Sequence, residues 1–141
     1  MPFHSILVAY DGSAPSRMAL RTGIELAAMY PEAEVHVLYV SQPPRIWYPE
    51  VPAAPLCEHE EQHAKALLDE AEAMLKRIPG RWRTLISEGR AADEILAYAA
   101  EARCSLIVMG SRGRNGLKGL VLGSVSHHVV QRASIPVLVI K

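Results

Sequence analysis

Apolar residues along this chain alternate between two spacings. Short continuous runs at 6–10, 35–40, 106–109 and 136–140 end in polar or small residues, which is how strands buried on both faces read. A shorter strand fits 82–87. Between these runs the apolar positions recur every three or four residues, the period of one helix face. Leu20, Gly23, Ile24 and Ala27 predict a first helix that Ser13 or Ser16 caps and Pro31 stops. Ala64, Leu67, Leu68, Ala71 and Leu75 predict a second over 58–78, ended by Pro79 and Gly80. Ile95, Ala99 and Ala102, widened by Leu96, predict a third over 91–102, with Asp93 and Glu94 placed against the positive end of its dipole. A fourth fits 124–133, capped by Ser124. The segment 41–55 resists both patterns. Its five prolines among Trp47, Tyr48 and small residues predict a long loop, a lid or a partner surface rather than slack.

Strands alternating with helices throughout predict an α/β fold: a single doubly wound domain over residues 1–141, with helices on both faces of a parallel sheet. Open sheets of this kind take ligands outside the carboxyl ends of strands, where the winding direction reverses. Three segments lie at such ends: 11–13, 40–42 and 110–126.

Composition narrows the function further. The 141 residues are half apolar, enough for one core. Fifteen basic side chains balance fifteen acidic ones, so the broad positive field that nucleic acid or an anionic membrane requires is missing. No apolar run approaches the ~20 residues of a membrane span. The first thirteen residues lack the charged and apolar regions of a secretory signal. Cys57 and Cys104 stand far apart, which fits two reduced thiols and a cytoplasmic location.

The richest constellation is Gly110-Ser111-Arg112-Gly113, followed after nine residues by Gly123-Ser124. Glycine lets main-chain N–H groups approach an anion without a Cβ in the way, and a helix N-terminus adds unpaired donors and a favourable dipole. Phosphate is the natural guest. Ser124 and Ser126 add hydroxyls, while Arg112, Arg114 and Lys118 add charge. On these residues alone, a ligand-free glycine turn with a serine cap stays open, and so does a simple turn-and-cap role for Asp11.

Together with the run into Asp11-Gly12-Ser13 and the ending Ile135-Pro136-Val137-Leu138-Val139-Ile140, this spacing resembles the ATP-binding branch of the universal stress protein family, over essentially the whole chain. The resemblance implies strand order 3-2-1-4-5, with ATP across the carboxyl ends of the first and fourth strands. It implies that Ala9, Tyr10 and Asp11 line the adenosine end, the Asp11 carboxylate accepting from sugar or base, and that Val40 offers main-chain hydrogen bonds to adenine. Met109, Gly110 and Gly113 would approach sugar and phosphates, with Arg112 beside them. Gly123, Ser124, Val125 and Ser126 would hold the phosphate chain, and magnesium or manganese would bind through the phosphates. The expected function is that of a stress-response regulator that binds adenine nucleotide. Slow hydrolysis or autophosphorylation, and a nucleotide-free dimeric scaffold, stay open as alternatives. That strand order also leaves 136–140 at a sheet edge, so a homodimer through this strand is expected.

Competing motifs fail on their own requirements. His59-Glu60-Glu61-Gln62-His63 satisfies H-E-x-x-H, yet no third ligand on another element accompanies it, and its helix turns Ala64, Leu67 and Leu68 to the core. A solvated helix face is the better reading. There is no phosphate-loop lysine motif and no G-x-G-x-x-G after the first strand. Ser124 with His127 and His128 reads as a cap and a polar face rather than a nucleophile with its base. No catalytic or metal-ligating residue is therefore assigned.

Overall fold

The computed structural model describes residues 3–42, 54–112 and 122–141. Its elements run β1 (Ser5–Ala9), α1 (Ala14–Met29), β2 (Glu34–Ser41), α2 (Ala54–Leu75), β3 (Trp82–Glu88), α3 (Ala91–Glu101), β4 (Leu106–Gly110), α4 (Ser124–Arg132) and β5 (Val137–Ile140). All four strand pairings are parallel, in the order β3-β2-β1-β4-β5. The winding direction therefore reverses between β1 and β4. The doubly wound α/β class is the one the periodicities predict, and the strand order is the one the family resemblance implies.

The sheet divides the core in two because successive side chains of a strand face opposite ways. Ile6, Val8 and Tyr10 pack with α1 and α2, whereas Leu7 and Ala9 pack with α3 and α4. Helix α1 lies directly on the central strands. A Cβ on Gly23 would stand 2.8 Å from Val8 Cγ2, and one on Gly110 would stand 2.5 Å from Pro15 Cβ. Gly110 thus serves the approach of a helix N-terminus to β4, whatever its main chain offers a ligand.

Element ends shift by a few residues, and two departures from the sequence reading bear on the site. Helix α2 starts at Ala54 rather than 58. Pro55 does not prevent this, since a first-turn residue has no helical acceptor for its N–H and a fixed φ suits the turn. The remainder of the proline-rich segment, with Trp47 and Tyr48, lies outside the described residues. Ser124 does not cap α4. The cap is Gly123, extended at φ −74° and ψ 172°, whose carbonyl accepts the His127 N–H at 2.9 Å. Ser124 is instead the first helical residue, and no side chain caps the turn.

Arg81 was not singled out by any motif. Its Nη1 lies 2.9 to 3.3 Å from the carbonyls of Ala27, Tyr30, Pro31 and Ala33, so one guanidinium closes the end of α1 and its exit toward β2.

Candidate nucleotide site

β1 ends in a turn built by its own polar side chains. Asp11 Oδ1 accepts from the Ser13 N–H at 2.9 Å, and Ser13 in turn caps α1, its hydroxyl accepting from the Ser16 N–H at 3.3 Å. Ser16 donates to the Ser13 carbonyl at 2.9 Å. Gly12 holds φ +82°, and a Cβ there would stand 2.5 Å from Leu67 Cδ2 of α2, so neither the angle nor the space admits another residue easily. The turn role and a ligand role for Asp11 are compatible, since a carboxylate offers about four acceptor sites.

Tyr10 is turned away from the other predicted site residues. Its ring is 2% exposed in the core on the α1 and α2 side, and its phenol donates to Glu70 Oε1 at 2.6 Å. Burial first, then the neighbouring Glu70 carboxylate, push the phenol up to about 12, so it remains a donor. Tyr10 N–H is committed to the Leu38 carbonyl at 2.9 Å.

β2 runs farther than β1. Its even residues face β1: Glu34 N–H donates to His4 and the Leu38 carbonyl accepts from Tyr10. Its odd residues face β3: Val35 N–H donates to Arg81, and the Ser41 carbonyl accepts from Gly89. By this alternation Val40 directs its amide and carbonyl to the β1 side, past the last residue of β1. Its half-buried side chain packs on the α3 and α4 core.

At the end of β4, Ser111 organises the far wall. Its N–H bonds the Ile140 carbonyl at 2.7 Å, and its own carbonyl takes both the Gly123 N–H at 2.6 Å and the Ser126 hydroxyl at 2.7 Å. Two of the groups expected to face phosphate are thus spent on structure. What α4 still offers is its first turn: the N–H groups of Ser124, Val125 and Ser126, which have no acceptor within a helix, and the exposed Ser124 hydroxyl. The Met109 side chain is buried in the core beneath, with Ala9 and Val125 half-buried against it. Arg112 is exposed at the rim, and Gly113, Arg114 and Lys118 lie outside the described residues.

The Asp11 turn, the main chain of Val40 and the uncapped turn of α4, which Ser111 ties to β4, thus stand at the carboxyl ends of the adjacent strands β1, β2 and β4. The family model for universal stress proteins matches residues 2–141. The chain belongs to the universal stress protein family. Universal stress protein YxiE of Bacillus subtilis (strain 168) is 34% identical to it, over 99% of each chain. Among solved structures, hypothetical protein MJ0577, whose biochemical function was assigned from its structure, superposes with a TM-score of 0.89 at 27% identity, over 100% of this chain and 97% of that one. A universal stress protein in complex with cAMP gives a TM-score of 0.75 at 25% identity, over 100% and 99%.

Other chemistry-bearing residues of this universal stress protein are accounted for by packing. In the H-E-x-x-H segment His59 is exposed, Glu60 accepts from the Tyr39 phenol at 2.6 Å, and His63 meets the same ring edge-on at 6.1 Å. Among the described residues no cluster of three His, Cys, Asp or Glu side chains is arranged to hold a metal ion. Cys104 is a buried free thiol whose pKa burial raises, the opposite of what a nucleophile needs. No described helix is long and apolar enough to cross a membrane. Glu70 escaped the sequence reading, which also gave Ser111 no role of its own and took Leu67 only as helix core. Ser111 had a signal, since it stands between two residues of the glycine motif.

Proposed function

We propose that this universal stress protein binds ATP across the carboxyl ends of β1 and β4 and acts through that binding as a cytoplasmic stress-response regulator. The observation that carries the reading is that the Asp11 turn and the uncapped first turn of α4, the latter tied to the end of β4 through Ser111, stand at the carboxyl ends of the two strands that pair where the winding reverses. Three main-chain N–H groups with the positive end of a helix dipole suit a phosphate. The Asp11 carboxylate suits ribose hydroxyls, which donate. Val40 supplies one donor and one acceptor, the complement of an adenine edge. A relative of the same fold carrying cAMP supports an adenine nucleotide as the ligand class. A magnesium or manganese ion would be held mainly through the phosphates. The family resemblance further favours a homodimer through β5.

The test is a mass spectrum of the small molecule released when the purified protein is denatured, paired with calorimetric titration of ATP, ADP and AMP. An adenine nucleotide mass and saturable binding are expected. An empty spectrum with no binding of any of the three overturns the reading and leaves a scaffold.

A further inference from the structure

We infer that Glu70 of α2 is a positioning residue for the acidic turn that ends β1, acting on it through Tyr10. The inference rests on the nucleotide reading above and adds to it a residue on a different helix, forty residues before the glycine motif that begins at Gly110.

The geometry is a closed circuit. Tyr10 precedes Asp11 and is held at both ends: its N–H by the Leu38 carbonyl at 2.9 Å, its buried phenol by Glu70 Oε1 at 2.6 Å. The same Oε1 accepts from Arg17 Nε at 2.5 Å. Arg17 belongs to the first turn of α1, where its N–H donates to the Ser13 carbonyl at 3.0 Å. Asp11, Gly12 and Ser13 therefore lie between two anchors that meet on one carboxylate oxygen. One helical turn before Glu70, Leu67 fills the space that a side chain on Gly12 would need. The turn has α2 as its back wall, and Glu70 fixes how far the wall stands off. A buried phenol without an acceptor is costly, so a simple packing role would be served as well by phenylalanine at position 10 and an apolar side chain at 70. The polar pair specifies a position instead.

The experiment uses the full chain with ATP as the probe, in Tyr10→Phe, Glu70→Ala, Glu70→Gln and the double variant Tyr10→Phe with Glu70→Ala. Three quantities are read: the ATP dissociation constant, the melting temperature without nucleotide, and amide hydrogen exchange at 11–13 without nucleotide. Tyr10→Phe and Glu70→Ala are each expected to weaken ATP binding roughly tenfold, the scale at which losing the support behind a binding group is felt. The double variant should lose no more than either single one. Glu70→Gln, whose amide oxygen still accepts from the phenol, should restore most of the affinity. Exchange at 11–13 should quicken in the weakened variants and not in Glu70→Gln. Wild-type affinity in all variants, or additive losses that follow the melting temperature, overturns the positioning role and leaves nucleotide binding intact. Failure of the wild-type protein to bind ATP, with exchange at 11–13 still sensitive to Glu70, overturns the nucleotide reading alone. Failure with insensitive exchange overturns both.

Discussion

His36 is a titratable residue sealed into the sheet, 4% exposed. Its Nδ1 is 2.7 Å from the Tyr98 hydroxyl, while Nε2 has no hydrogen-bond partner among the described residues, the Glu34 carboxylate standing 3.6 Å off. Burial pulls its pKa below the ordinary value of 6.5; Glu34 opposes that shift and Arg83 adds to it. The unfolded chain therefore takes up the proton first on acidification. The stability tied to neutral His36 is present above the unfolded value and is lost as pH falls through the depressed folded one. Urea unfolding from pH 7.5 to about 5 should show a stability loss that is smaller in His36→Phe. Equal slopes in both proteins would assign the pH dependence elsewhere.

Two glycines of the predicted motif, Gly110 and Gly123, separate on the same scale. Alanine at Gly110 places Cβ 2.5 Å from Pro15 Cβ and 3.0 Å from its main-chain carbon, whereas at Gly123 the nearest atom is the Ser111 carbonyl at 3.3 Å. Gly110→Ala should cost about 1 to 3 kcal/mol through overpacking against α1. Gly123→Ala should lose well under that, because a shift of a few tenths of an ångström accommodates it and the unfolded chain loses freedom. Thermal melts of the two variants side by side check the order.

At the scale of elements, α4 is under-stabilised where a ligand would help it. Its first turn holds no acidic residue and receives no side-chain cap, although both are common remedies. Ser124→Glu should stabilise the fold by about 0.3 to 1 kcal/mol of dipole compensation, read as a slightly higher melting temperature, and weaken nucleotide binding by repelling phosphate. Gains in both stability and affinity would show that anions do not visit this turn. The end of α1 is handled in the opposite way. Arg81 supplies the capping from β3's side of the sheet, and Arg81→Ala should destabilise by about 1.5 to 3 kcal/mol, the range for charged hydrogen bonds, with nucleotide affinity unchanged.

For the molecule as a whole, β5 is an edge strand, and Leu138 on it is 37% exposed. Exposed apolar side chains beside unpaired main-chain groups invite a second chain. Leu138→Lys should shift sedimentation toward a monomer if β5 carries the expected homodimer interface. The parallel α/β class and its two core faces were legible in the sequence because apolar spacing is set by burial itself: Leu7 and Val8 must face opposite layers whatever the ligand, whereas the strand order came from the family resemblance. The alternation pointed to three strand ends, and the resemblance chose the reversal between β1 and β4 among them. Less legible were features set by contacts distant in sequence. Tyr10 lies on the ligand motif yet points its ring at α2, because the strand's two-residue period outranks the motif. Ser124 and Gly123 exchange roles at the cap because the Ser111 carbonyl, thirteen residues upstream of Ser124, claims the Gly123 amide. Local sequence holds no record of that bond.

The double engagement of the Ser111 carbonyl, by the Gly123 N–H and the Ser126 hydroxyl, has an evolutionary corollary. The oxygen belongs to the near margin of the intervening stretch and both donors to its far margin, so a change of length between those margins need not displace α4. Changes of length in that connection are therefore the ones that relatives of this chain can accept at least cost to α4, since loop-closure entropy grows only slowly with loop length.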